Sequence, residues 1–173
     1  DLKGYREVCA QELVRFGGAS DPLTAERMAK DCLLRPDSGV HLTAVDAWAD
    51  TAITAGADSD DLPWFQLCKG LVDYRQGRFA SAVEWTQKVL SHEGASLERD
   101  AQTYLVMAMA QYRSKQTNQA SAALTTGVEI IERKLPMSDS GDIGDSWRDW
   151  IIARALLKEA KALIQSSAAA PRD

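Results

Sequence analysis

No apolar run in this sequence approaches the roughly 18 residues that a membrane span needs. No basic start followed by an apolar stretch marks a signal peptide. Cysteine is scarce: Cys9, Cys32 and Cys68 stand 23 and 36 residues apart. An odd count at wide spacing fits neither a disulfide framework nor a zinc site. Each falls within an apolar helical pattern, so all three are expected as buried small hydrophobes in a reducing cytoplasm. Positive charge is also short. With 20 Lys and Arg against 25 Asp and Glu, the formal net charge is −5, which argues against nucleic acid as a partner. Strand-like alternation is absent.

Recognisable chemistry is missing too. No Gly-rich phosphate loop occurs, and neither the H-R-D nor the D-F-G tripeptide of a kinase. His41 and His92 fall at helix edges, without a carboxylate or Cys at ligand spacing. The run "DSDD" (58–61) lacks the spacing of a calcium loop and sits before a helix, where the helix dipole favours negative charge. "GDIGDSW" has glycines but no strand–helix context, so it reads as a linker. We expect no enzyme, no cofactor and no metal.

What is present is helical period, almost throughout. The pattern predicts helices over about 2–16, 22–34, 42–55, 63–76, 78–91, 96–114, 118–135 and 146–165. Gly17 and Gly18 end the first, because glycine tolerates the left-handed conformation common at helix ends. Asp21 and Pro22 open the second as N-cap and first-turn proline, Pro36 follows its end, and Gly56 stops the third. "PMSDSGDIGD" is a looser joint, and the tail after about 166 is expected to fray. The chain begins at Asp1, which leaves open a start trimmed or cut from something larger.

Two segments match in register. "GLVDYRQGRFASAVEWTQKVL" (70–90) overlies "AMAQYRSKQTNQASAALTTGV" (108–128) when shifted by 38 residues. Gly70 falls on Ala108, Tyr74 on Tyr112, Arg75 on Arg113 and Ala82 on Ala120. Small residues belong where two helices of a hairpin touch, so Gly70 and Ala82, like Ala108 and Ala120, are expected against each other's helices. A unit of this kind cannot bury its apolar face alone and must stack on a neighbour.

The segment resembles a tetratricopeptide repeat, with Gly70, Tyr74, Gly77, Phe79, Ala82, Trp85 and Leu90 in register. The second copy departs at the turn, where Lys115 replaces the glycine and Thr117 the aromatic. The 38-residue offset exceeds the usual period of about 34, and the surplus fits in "SHEGASLER". A weaker unit spans about 22–55, with Trp48 in the place of Trp85 and an irregular turn, "RPDSGVH". The resemblance implies an all-α fold: a right-handed α-solenoid of about three tetratricopeptide-like hairpins (about 22–55, 63–94 and 101–135) with flanking capping helices, in a single domain over 1–166. On the last helix, Trp147, Trp150, Ile151, Arg154 and Leu157 recur at helical spacing. They read as an end cap on the seventh helix, with an aromatic peptide groove as the other reading.

A second resemblance covers nearly the whole chain. "YREVC", "DPLTAERMAKDCLL", "PWFQLCKGLVDYRQGRF" and "GDSWRDWIIARALLKEAKALI" look like the repeat region that follows the kinase domain in a group of bacterial serine/threonine protein kinases. The same repeat type occurs in the free-standing bacterial kinesin light chains that accompany bacterial tubulins. A detached chain of this length is more similar to the latter. The resemblance implies a protein-interaction module that binds a bacterial tubulin polymer. The alternative is a regulatory or scaffolding repeat region of a kinase, and a small-molecule sensor stands third. The groove positions it implies are Trp64, Leu67, Leu71, Tyr74 and Arg75, then Gln102, Leu105, Met109, Tyr112 and Arg113. In the weaker unit they are Arg27, Lys30 and Leu34. Lys69, Arg75, Arg78, Arg113 and Lys115 recur at neighbouring turns, either as a basic strip for an acidic partner or as a solvated rim.

Overall fold

The computed structural model describes residues 1–94, 96–134 and 146–165. They form α1 (Leu2–Phe16), α2 (Pro22–Leu33), α3 (Leu42–Ala55), α4 (Leu62–Arg75), α5 (Phe79–Ser91), α6 (Leu97–Arg113), α7 (Thr117–Lys134) and α8 (Trp147–Gln165), with no strand among the described residues. The joint at 136–145 and the tail beyond 165 lie outside the described residues.

The helix starts have local causes. Asp21 accepts from the Thr24 amide at 2.8 Å and its hydroxyl at 2.7 Å, so one free donor of α2 is satisfied by its cap. Pro22 and Pro63 occupy first-turn positions, where a missing N–H costs nothing. Ser96 accepts from the Arg99 amide at the head of α6.

Consecutive helices pack on one another from α2 to α7, as the pairs α2/α3, α4/α5 and α6/α7 and the contacts between those pairs. α2 also meets α4, and α4 meets α6. Gly70 lies against the Ala82 helix, as expected: a methyl on Gly70 would lie 3.3 Å from Trp85 Cβ and 3.5 Å from the Ala82 carbonyl. Ala82, Ala108 and Ala120 have no exposed surface.

The matched register reappears in the backbone. At the first turn the Gly77 amide donates to the Tyr74 carbonyl at 3.0 Å and Arg78 to Asp73 at 2.8 Å. At the second, Lys115 donates to Tyr112 at 3.0 Å and Gln116 to Gln111 at 2.9 Å. Each pair is displaced by the same 38 residues. α2 and α3 are joined differently, by the longer segment 34–41.

α8 is not a cap on α7 alone. It packs chiefly on α6, less on α7, and reaches α4 and α2 by polar contacts. Near its start, Arg148 meets Asp31 of α2 at 2.8 Å and Gln102 of α6 donates to the Asp149 carbonyl at 3.0 Å. Near its end, Glu159 pairs with Arg75 of α4. α8 therefore lies over the row α2–α4–α6. No described helix is long and apolar enough to cross a membrane.

Candidate functional site

Where α8 crosses α2 and α4 it leaves a cleft of about 380 Å³. Glu26, Arg27 and Lys30 come from one face of α2, at the three- and four-residue spacing that helical geometry stacks. Asp61 and Trp64 come from the head of α4, Trp147, Arg148 and Asp149 from the head of α8. At the cleft wall the Lys30 ammonium sits 4.3 Å from the Trp64 ring centroid. It approaches Glu26 Oε1 to 2.6 Å, as a close ion pair rather than an aligned hydrogen bond. Both partners are more than nine-tenths buried. A cation over an indole is attracted by the ring's negative face, most strongly when desolvated. Arg27 is exposed and Trp147 keeps 54% of its surface free. Among the described residues the lining carries three cations, three carboxylates and two indoles, with no Ser, Cys or His. Such a surface can recognise by charge, stacking and hydrogen bonding.

Of the positions implied by resemblance, Arg27, Lys30 and Trp64 come together in this cleft. Six of the others are buried. Leu67, Leu71, Leu105 and Met109 are core residues, at most 2% exposed. Gln102 is buried with its amide directed to α8, and Tyr74 is buried beside Phe79 with ring centroids 6.0 Å apart. The physical reason differs by residue: Tyr74 packs on Phe79 of α5 and Leu105 lies against Gly127 of α7, so these positions turn into their own hairpins, while Gln102 is met by α8. Leu34 is half-buried, as is Tyr112, while Arg113 is exposed. Arg113 borders a smaller cleft with Tyr74, Arg75, Phe79 and Glu159.

The basic strip is also corrected. The Arg75 guanidinium is 4% exposed, forks onto Glu159, and donates to the Leu33 carbonyl at 3.0 and 3.1 Å. Lys69 lies between Asp46 and Asp50 of α3, and Arg78 pairs with Asp46 and Asp73. Burial pushes the Asp46 carboxyl up, but Lys69 and Arg78 outweigh it, so its pKa is lowered. Arg113 and Lys115 are the exposed members of the set that stand outside these pairs, too few for a strip.

Sequence reasoning misses Glu26, Asp61, Arg148 and Asp149, and it reads Trp147 as a cap. The signal for these residues is the path of α8, which no local pattern encodes. It also misses a meeting of Cys9 and Glu12 on α1 with Cys32 on α2, whose ligating atoms all lie within 4.8 Å of one another. Burial raises the pKa of both thiols and of the Glu12 carboxyl, which the nearby Asp31 raises further. Cys68 is buried elsewhere, its Sγ 3.8 Å from the Glu26 carbonyl. Comparison with known protein families and with curated proteins finds no match to this chain.

Proposed function

We propose that the chain is a non-enzymatic protein-interaction module: a short right-handed α-solenoid of three tetratricopeptide-like hairpins closed by α1 and α8. The second copy of the turn, with its hydrogen bonds repeated 38 residues on, supports the repeat reading. The observation that carries the binding reading is the α2–α4–α8 cleft, where Lys30 lies on Trp64 and Arg27 and Trp147 stand free at the rim. Tryptophan and arginine beside a desolvated pocket are the residues that dominate protein interfaces. On the resemblance of its motifs, the partner proposed is a bacterial tubulin polymer, as for bacterial kinesin light chains.

Attraction to an acidic polymer must be local, since the chain's own net charge is −5. Arg27 supplies it at the cleft rim, and such contacts weaken with salt as the screening length falls to roughly 3 Å at 1 M. The test is co-sedimentation with assembled bacterial tubulin over a salt series. Wild type should pellet at low salt. The double variant Arg27→Glu/Trp147→Ala should bind about 30-fold more weakly, the loss of one hot spot of about 2 kcal/mol. Lys115→Glu, outside the cleft, should bind as wild type does. A chain that stays in the supernatant at low salt with well-formed filaments removes the tubulin reading in favour of the kinase repeat region. A double variant that pellets as well as wild type removes the cleft.

A further inference from the structure

α1 is the least integrated helix of the fold. It packs on α2, leaves Val8 and Val14 51% and 90% exposed, and buries one cysteine, Cys9. That cysteine does not sit among apolar side chains alone. Glu12, one helical turn on, and Cys32 from α2 converge on it, with the Cys32 thiol 3.7 Å from Glu12 Oε2. Cys9 and Cys32 are 1% and 0% exposed.

We propose that Cys9, Glu12 and Cys32 form a site for a thiophilic divalent metal ion of the zinc class, which clasps α1 to α2. The donor set is two thiolates and a carboxylate, the types that zinc takes in a tetrahedral site. With Zn–S near 2.3 Å and Zn–O near 2.1 Å, ligand atoms around such an ion stand about 3.5–3.8 Å apart. Three atoms within 4.8 Å of one another need only a small contraction to reach that spacing. A water completes the fourth position. Among the described residues no other three such side chains converge.

The surroundings suit an ion. Two thiolates and a carboxylate exceed the charge of a dication by one. Arg148 reaches the cluster as one half of an ion pair with Asp31 at 2.8 Å, and Asp31 acts on Glu12 more strongly than Arg148 does. The other titratable groups facing it are Tyr5 and Asp31. The Tyr5 hydroxyl is already committed, donating to the Asp31 carbonyl at 3.0 Å and accepting from the Arg35 amide at 3.2 Å. It therefore ties the start of α1 to the end of α2 beside the site. Binding breaks two S–H bonds, releases two protons to solvent and forms two metal–sulfur bonds, with no electron transfer. Affinity should therefore rise steeply with pH while the thiols are protonated.

The test uses the full reduced chain and Co²⁺ alone as probe, since cobalt bound by thiolate absorbs in the near ultraviolet and cobalt bound by oxygen does not. The expected result is one Co²⁺ per chain with a thiolate charge-transfer band, displaced by Zn²⁺, with about two protons released per ion. Cys9→Ser and Cys32→Ser should each lose the band. Cys68→Ser should keep it. Glu12→Gln retains both thiols and lies at a half-buried position; it should weaken affinity about 10–100-fold or more, the loss that even an outer partner causes. Far-UV helicity, checked for each variant, separates lost binding from lost fold. No band in the wild type, a band unchanged in Cys9→Ser and Cys32→Ser, or a band abolished by Cys68→Ser would each overturn the site. So would a reduced chain that refuses Co²⁺ and only forms a Cys9–Cys32 disulfide on oxidation.

Discussion

Gly56 ends α3 with φ −104°, a conformation open to any residue. Its reason is space. A methyl there would lie 2.2 Å from Phe65 Cε2 and 2.7 Å from the Ala52 carbonyl. Phe65 is fully buried, so its ring has nowhere to go. Gly56→Ala should cost about 1–3 kcal/mol, as overpacking of a dense core does. Gly18→Ala is the matched control, because no atom lies within 4 Å of the added carbon; it should stay within about 0.5 kcal/mol of wild type. Urea unfolding of the pair decides the point, and equal midpoints would mean that Phe65 yields. The sequence identifies Gly56 as a helix stop, yet the steric reason depends on α4 arriving against it. The cysteines are a similar case. Their burial is legible from apolar periodicity. The convergence of Cys9, Glu12 and Cys32 follows from the register of α1 on α2, and spacing along the chain carries no trace of it.

At the scale of the element, helix existence and bounds are legible to within about a residue or two, the ambiguity of any helix end. Gly and Pro punctuation, capping Asp and Ser, and a clean helical period all point the same way. The turns are more informative still. Gly77 has φ +79° and Lys115 φ +63°, the same left-handed corner in two copies. An L-residue there costs about 1–2 kcal/mol, while glycine adds unfolded-state freedom worth roughly 0.5–1 kcal/mol. Lys115 is exposed, so trimming its side chain gives up little packing. Lys115→Gly should therefore raise stability by up to about 1 kcal/mol, and Gly77→Ala should lower it by about 1 kcal/mol. Chemical unfolding of both reads the signs. Opposite signs support one backbone geometry shared by two sequences, whereas a Lys115→Gly variant less stable than wild type would show a side-chain role for Lys115. The α2–α3 connection, irregular by sequence, has its own left-handed glycine, Gly39 at φ +74°, packed against the Arg6 side chain of α1.

For the whole molecule, α8 decides which surface is free. Its apolar face is legible as something that must be buried, and Trp150, Ala153, Leu156 and Ala160 are buried. Which helices it covers is not legible, because that depends on contacts such as Arg75–Glu159, 84 residues apart in the chain. Removing Glu159 strands a guanidinium that is 4% exposed. Glu159→Ala should therefore cost about 3 kcal/mol, as breaking a buried pair from one side does. Replacing both members, Arg75→Met/Glu159→Met, strands no charge and should cost less than Glu159→Ala alone. Native-state hydrogen exchange places the loss. In wild type, α8 should open only with the α6 and α7 helices it packs on, and α1, with its exposed valines, at lower free energy. In Glu159→Ala the amides of α8 should lose protection first, while those of α2 and α3 follow global unfolding. A uniform loss in every helix would mean that α8 is inseparable from the stack. A double variant no more stable than Glu159→Ala would mean that packing, not the buried charge, holds α8 across the row.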